Sequence, residues 1–167
     1  MITYGEHSTS GRNEDGNPEG SVGKYTRIGK GTTFWGNINY PSINHPNLVC
    51  NYAFGNHEGV KSFPDMGDKG PIKVGNDVWI GDNCDILSGV TIGDGAIIGL
   101  GAIVSKNIPP YAIAVGSPIV VKKYRFSPEI IEKLLRIKWW DWKHEIVLKR
   151  IDDFLDVTKF VEKYDIK

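Results

Sequence analysis

Four histidines occur in the chain, and two of them, His45 and His57, fall within one irregular stretch between about Asn37 and Lys73. Imidazole ordinarily titrates at a pKa of about 6.5, so it can take or release a proton near neutral pH; its neutral form also ligates metals. The same stretch carries Pro41, Pro46, Pro64 and Pro71 and the aromatics Tyr40, Tyr52, Phe54 and Phe63. A long irregular segment inside an otherwise regular chain is a usual carrier of binding and catalytic groups. His7 and His144 lie in the terminal segments and read as ordinary surface residues.

What surrounds that stretch is a repeat. From Val74 to Pro109 the chain divides into six blocks of six, opening on Val74, Ile80, Ile86, Ile92, Ile98 and Val104. The fifth position is small or apolar throughout (Val78, Cys84, Val90, Ala96, Ala102, Ile108), and glycine holds the second position at 75, 81, 93 and 99. A period of six suits neither an amphipathic helix nor plain strand alternation. It suits a parallel β-helix, in which three hexapeptides make a coil of about eighteen residues and coils stack at about 4.8 Å. The opening aliphatic then fills the interior, the small fifth residue sits near a corner, and Gly, Asn and Asp supply the backbone freedom of the corners. A second tract starts at Ser21, with Val22, Ile28 and Phe34 in step. Val22 and Val74 are 52 residues apart, which six does not divide, so the irregular stretch is an insertion between coils.

The rest of the chain is read around that column. Residues 1–20 are rich in Gly, Asn, Glu and Ser and read as a loose lead-in. Pro109–Pro118 leaves the coil, and a basic stretch with Lys122, Lys123 and Arg125 follows. Ser127-Pro128-Glu129 has the form of a helix start, and the apolar spacing from Ile130 to Phe160 predicts helical turns that close the open end of the column. The expected division is a β-helix over 1–126 with the 37–73 loop inserted, and a helical extension over 127–167. Lys plus Arg and Asp plus Glu number 20 each, so no net charge points to nucleic acid as a partner. Two cysteines do not make a disulfide scaffold, and nothing in the sequence approaches a membrane span or a signal peptide; a cytoplasmic protein is the expectation.

The ordered set Asp77-Val78-Trp79-Ile80-Gly81, Gly89–Gly99, Pro109–Ile113 with Gly116-Ser117-Pro118, Arg125-Phe126 and Lys138-Trp139-Trp140-Asp141-Trp142 resembles the hexapeptide-repeat xenobiotic acetyltransferases. That group includes chloramphenicol and streptogramin acetyltransferases and related sugar O-acetyltransferases, and the resemblance covers roughly residues 21–142. It implies a left-handed parallel β-helix, a homotrimer with active sites between subunits, and acetyl-CoA as donor, with no metal. It also implies that a histidine of the extruded loop is the general base. Neutral imidazole suits removal of a proton from an acceptor hydroxyl or amine as it attacks the thioester. The resulting oxyanion calls for one or two donors, such as backbone N–H groups at the corners.

Asn44-His45 followed by Val49-Cys50-Asn51-Tyr52-Ala53-Phe54 resembles the family's loop pattern, so His45 is the expected base and His57 the alternative. Carried over from that resemblance by position, the donor's pantetheine arm is implied along Asp82, Leu100, Gly101 and Ala102. Ser105 and Lys106 are expected near the adenosine end, and Lys123 at a phosphate. Trp79 is expected to be a packing residue. The acceptor is open between a sugar hydroxyl or amine and a xenobiotic. A metal hydrolase on the same scaffold would need a third histidine beside His45 and His57. A non-catalytic trimeric scaffold is the remaining alternative.

Overall fold

The computed structural model describes residues 1–15, 20–35 and 69–165. The strands among them are β1 (Ile2–Tyr4), β2 (Thr9–Asp15), β3 (Gly20–Val22), β4 (Arg27–Trp35), β5 (Ile72–Val74) and β6 (Trp79–Ile80). They continue as β7 (Asp85–Ile86), β8 (Thr91–Ile92), β9 (Ile97–Ile98), β10 (Ile103–Val104), β11 (Ala112–Val115) and β12 (Val120–Tyr124). All but β12 stack in parallel on three faces. The first face is β1-β3-β5-β8, continued by Ile108 beside Ile92. The second runs from Thr9 and Ser10 of β2 through Arg27 and Ile28 of β4 to β6, β9 and β11. The third joins the later halves of β2 and β4 to β7 and β10.

The hexads explain this arrangement. Every block-opening aliphatic from Val74 to Val104 is buried, as is every fifth residue from Val78 to Ile108. Each buried isoleucine contributes about 1.5–3 kcal/mol relative to exposure, so a row of them holds the coils together. Position two is glycine because neighbouring coils nearly touch there. A Cβ on Gly81 would lie 2.6 Å from the Leu100 nitrogen, and one on Gly29 2.3 Å from Asp82 Oδ1. Position four turns the corner with a left-handed backbone. One corner stacks His7, Tyr25, Asp77, Gly95 and Tyr111, and another stacks Gly31, Asn83 and Gly101, all with φ between +53° and +70°. Position three often ties one coil to the next: Asn76, Asp82 and Asp94 accept from the N–H groups of Lys24 (2.8 Å), Lys30 (2.9 Å) and Asn76 (2.7 Å).

The register locates the insertion. Val22 pairs with Val74, Ile28 with Ile80 and Phe34 with Ile86, each 52 apart, whereas Ile80 pairs with Ile98, 18 apart. The excess of 34 residues lies in the chain between β4 and β5, where Ile72 is already buried at 1% exposure. The expected insertion boundary of Lys73 is therefore slightly late.

Three expectations need correction. Residues 1–15 are not a loose lead-in: β1 and β2 form the first coil, pairing with β3 and β4. The column also runs past Pro109, since Ile113 of β11 pairs in parallel with Ile97 before β12 returns antiparallel. The helices are α1 (Pro128–Ile137), α2 (His144–Lys149) and α3 (Val157–Tyr164). Their described contacts run along one corner of the column rather than across its end. Arg125 Nη1, just ahead of α1, donates to Asp77 Oδ2 (3.0 Å) and to the Gly95 carbonyl (2.7 Å). Tyr111 packs in one apolar cluster with Leu134, Phe160 and Val161. His7 is exposed as expected, but its ring stacks on that of the half-buried His144 at 3.9 Å, and Tyr25 Oη lies 3.1 Å from His144 Nδ1. Among the described residues, no helix is long and apolar enough to cross a membrane.

Candidate functional site

The corner of Gly31, Asn83 and Gly101 is exposed, and beside it the second face forms a groove of about 700 Å³. Strand alternation builds the groove. With Ile28, Ile80 and Ile98 pointing inward, the preceding residues Arg27, Trp79 and Ile97 point out, and all three line it. The cross-strand register continues this outer row to Ile113 and then to Lys123 of β12. Five positions at the ordinary strand spacing make a row about 19 Å long. Between the cations Arg27 and Lys123 it is apolar, and past Arg27 the register continues to Thr9 of β2. The corner side of the groove is formed by Gly29-Lys30, Gly81-Asp82 and Gly99-Leu100, where glycines bring the backbone to the surface.

The expected donor-binding residues distribute unevenly. Asp82 and Leu100 line the groove, Leu100 at 72% exposure, with Gly101 next to them at the corner. Asp82 Oδ1 accepts the Lys30 N–H (2.9 Å), and its carbonyl accepts the Gly101 N–H (2.9 Å), so both oxygens brace the coil. Ala102 faces the interior and is fully buried; its N–H donates to the Gly99 carbonyl (3.3 Å) and its own carbonyl accepts from Asp85 (3.0 Å). Ser105 and Lys106 are exposed just after β10 on the third face and do not line the groove. Lys123 is exposed on β12, opposite Ile113. His45 and His57, with Cys50, lie outside the described residues.

Sequence reasoning missed Arg27, Lys30 and Ile97, and it misassigned Trp79, which is 53% exposed on the groove. The signal was available: a residue directly before a buried block-opening aliphatic must face outward. Beneath the groove, Cys84 is buried and donates from Sγ to the Gly99 carbonyl (3.2 Å); burial raises its pKa, which keeps it a protonated packing residue. On the third face, Trp35 Nε1 donates to Asp85 Oδ1 (2.8 Å). Among the described residues, no three His, Cys, Asp or Glu side chains converge as a metal-binding group.

Residues 71–106 match the family described as bacterial transferase hexapeptide (six repeats). The chain is 37% identical over 137 residues to a probable macrolide acetyltransferase of Lysinibacillus sphaericus, covering 78% of this chain and 74% of that one. It is 36% identical over 129 residues to a chloramphenicol acetyltransferase of Agrobacterium fabrum, covering 74% of this chain and 60% of the relative. Of the chloramphenicol acetyltransferase of Morganella morganii, at 49% identity, it spans 35%. Among solved structures, a hexapeptide-repeat acetyltransferase of Vibrio cholerae complexed with acetyl-coenzyme A superposes with a TM-score of 0.56 at 22% identity, over 75% of this chain and 61% of that one. That likeness concerns the fold. The relatedness that extends over about three-quarters of both chains makes the protein a member of the hexapeptide-repeat xenobiotic acetyltransferase family.

Proposed function

We propose that this protein transfers the acetyl group of acetyl-CoA to a hydroxyl of a sugar or polysaccharide precursor. The observation that carries the reading is the open groove lined by Trp79 and Ile97, whose outer row continues by strand register through Ile113 to Lys123, with Arg27 on the other side of Trp79. The outer row from Ile97 through Ile113 to Lys123 suits the pantetheine arm, with exposed backbone around Leu100 and Asp82 to receive its amides and Lys123 to meet a phosphate, which leaves Trp79 and Arg27 beyond the thioester. Ser105 and Lys106 would then serve the adenosine end from the adjacent face. Ala102 would contribute shape alone, since its side chain and backbone groups are engaged inside the coil.

In the reaction, the acceptor oxygen bonds to the acetyl carbon as the carbon–sulfur bond breaks. The acceptor's proton passes to His45, or to His57 in the alternative assignment, and from there to the departing thiolate. The column is read as left-handed and the assembly as a homotrimer, with a neighbouring subunit closing the open side of the groove. Residues 1–126 would form the acyltransferase unit and 127–167 its helical extension. A second reading, a xenobiotic acceptor, draws on the relatives, which are named macrolide and chloramphenicol acetyltransferases. Release of CoA thiol in a panel of sugars, chloramphenicol and macrolides separates the two. His45→Ala is expected to lower turnover at least about 100-fold while CoA affinity and subunit assembly persist. Near-normal rates in that variant with loss in His57→Ala would move the base to His57, and normal rates in both would end the histidine-base reading.

A further inference from the structure

Arg27 and Lys30 form the end of the groove away from Lys123, and neither side chain has an ion-pair partner among the described residues. Asp82, the nearest carboxylate on the lining, is occupied by the Lys30 backbone N–H at 2.9 Å. Two cations and one carboxylate leave that end net positive. Arg27 is the direct cross-strand partner of Trp79, so the guanidinium-bearing residue stands one rung, about 4.8 Å, from a half-exposed indole. A planar fork for an anion beside an aromatic face for a ring is a recognition pattern for a charged cyclic ligand. An extended donor whose phosphates meet Lys123 has its thioester, not its phosphates, toward the Arg27 end. The charge there is therefore left for the acceptor.

From this we propose that the acceptor is an anionic sugar, its carboxylate or phosphate held by Arg27 and Lys30 and its ring lying on Trp79. The proposal rests on the acetyl-transfer reading and adds the substrate's charge to it. Truncating one such charge-assisted contact typically weakens recognition by tenfold or more.

The test uses the full chain with acetyl-CoA and three acceptors: galacturonate, its methyl ester and galactose 6-phosphate. Thiol release and calorimetric binding are both read. At least about tenfold higher kcat/KM for the acid than for its ester is expected, and the acid's KM should rise at least about tenfold in Arg27→Gln. Comparing the acid with the sugar phosphate tells a carboxylate site from a phosphate site. An ester used as well as its acid overturns the proposal and leaves acetyl transfer standing. A rise in the KM for acetyl-CoA, rather than for the acid, also overturns it and gives Arg27 to the donor's phosphates. If none of the three releases thiol, binding decides the anion site, which stands if acid binds over ester and falls if they bind alike, and the acetyl-transfer reading is decided separately on the panel of sugars, chloramphenicol and macrolides.

Discussion

Two corners of this column share a backbone and differ in everything attached to it. At His7, Tyr25, Asp77, Gly95 and Tyr111, and at Gly31, Asn83 and Gly101, the chain turns with the same left-handed φ. The first corner is roofed. Tyr111 is 1% exposed, Arg125 bridges Asp77 and the Gly95 carbonyl, and Trp139 and His144 pack on Tyr25. The second is bare and borders the groove. The repeat thus builds equivalent corners, and the side chains at position four decide which one accepts a covering segment and which one stays open to a ligand. Rings at three of five levels, His7, Tyr25 and Tyr111, give the helices something to pack against; glycine and asparagine offer them nothing.

If that contrast is real, one extra methyl group should have very different effects at the two corners. A Cβ on Gly95 would lie 2.4 Å from Cε1 of Tyr111, whose ring is itself held by Arg125 and by Phe126 at 5.8 Å. Gly95→Ala therefore combines overpacking with left-handed strain, together about 3 kcal/mol or a Tm loss of about 10 °C by thermal unfolding. A loss below about 3 °C would mean that the roof is soft and that the two corners are alike.

The next effect concerns the tie itself. Arg125→Gln removes the bond to Asp77 and leaves a half-buried carboxylate without its cation, at a cost of about 2 kcal/mol. Burial already raises the Asp77 pKa, with Arg125 pulling it back, so the variant's carboxyl should rise further. A raised folded-state pKa means the folded protein holds the proton more tightly than the unfolded chain, so stability falls as pH rises between the two values. The variant's deficit in Tm, measured against the parent, should thus be larger at pH 7 than near pH 4.5. A deficit independent of pH would show that Asp77 is not what Arg125 compensates.

How far the sequence discloses this arrangement depends on which hexad position carries the information. Position one was legible because Val74 through Val104 are all aliphatic. The first coil was not, because its register-equivalent positions are Tyr4 and Ser10, paired with Val22 and Ile28, and neither continues the aliphatic pattern. Glycine was read as serving the corners. In the column it has two separate duties, close approach at Gly75, Gly81, Gly93 and Gly99 and left-handed turning at Gly89, Gly95 and Gly101. Only the second is a matter of φ. Ser127-Pro128 did mark a helix start, although Ser127 makes no side-chain cap bond. The stack of His7 on His144 joins residues 137 positions apart, a pairing that no local pattern encodes. At the candidate site, Asp82, Leu100 and Gly101 came from a resemblance, whereas Arg27 and Trp79 follow from parity once the inward residues are known.

The gentlest perturbation belongs to the open corner. A Cβ on Gly101 meets nothing within 4 Å, although its φ of +67° matches the +69° of Gly95. Gly101→Ala should therefore cost only the left-handed penalty, about 1 kcal/mol and a Tm loss of about 3 °C. Asn83 occupies the equivalent point one coil earlier at φ +55°, and asparagine tolerates that region better than alanine, so Gly101→Asn should recover part of the loss. The difference between the two alanine effects is the sharpest measure of the roof, because backbone strain is common to both and cancels. An equal loss at Gly101 would place an unseen neighbour, such as a second subunit, against the corner in solution. Sedimentation of the variant would reveal that as a weakened assembly.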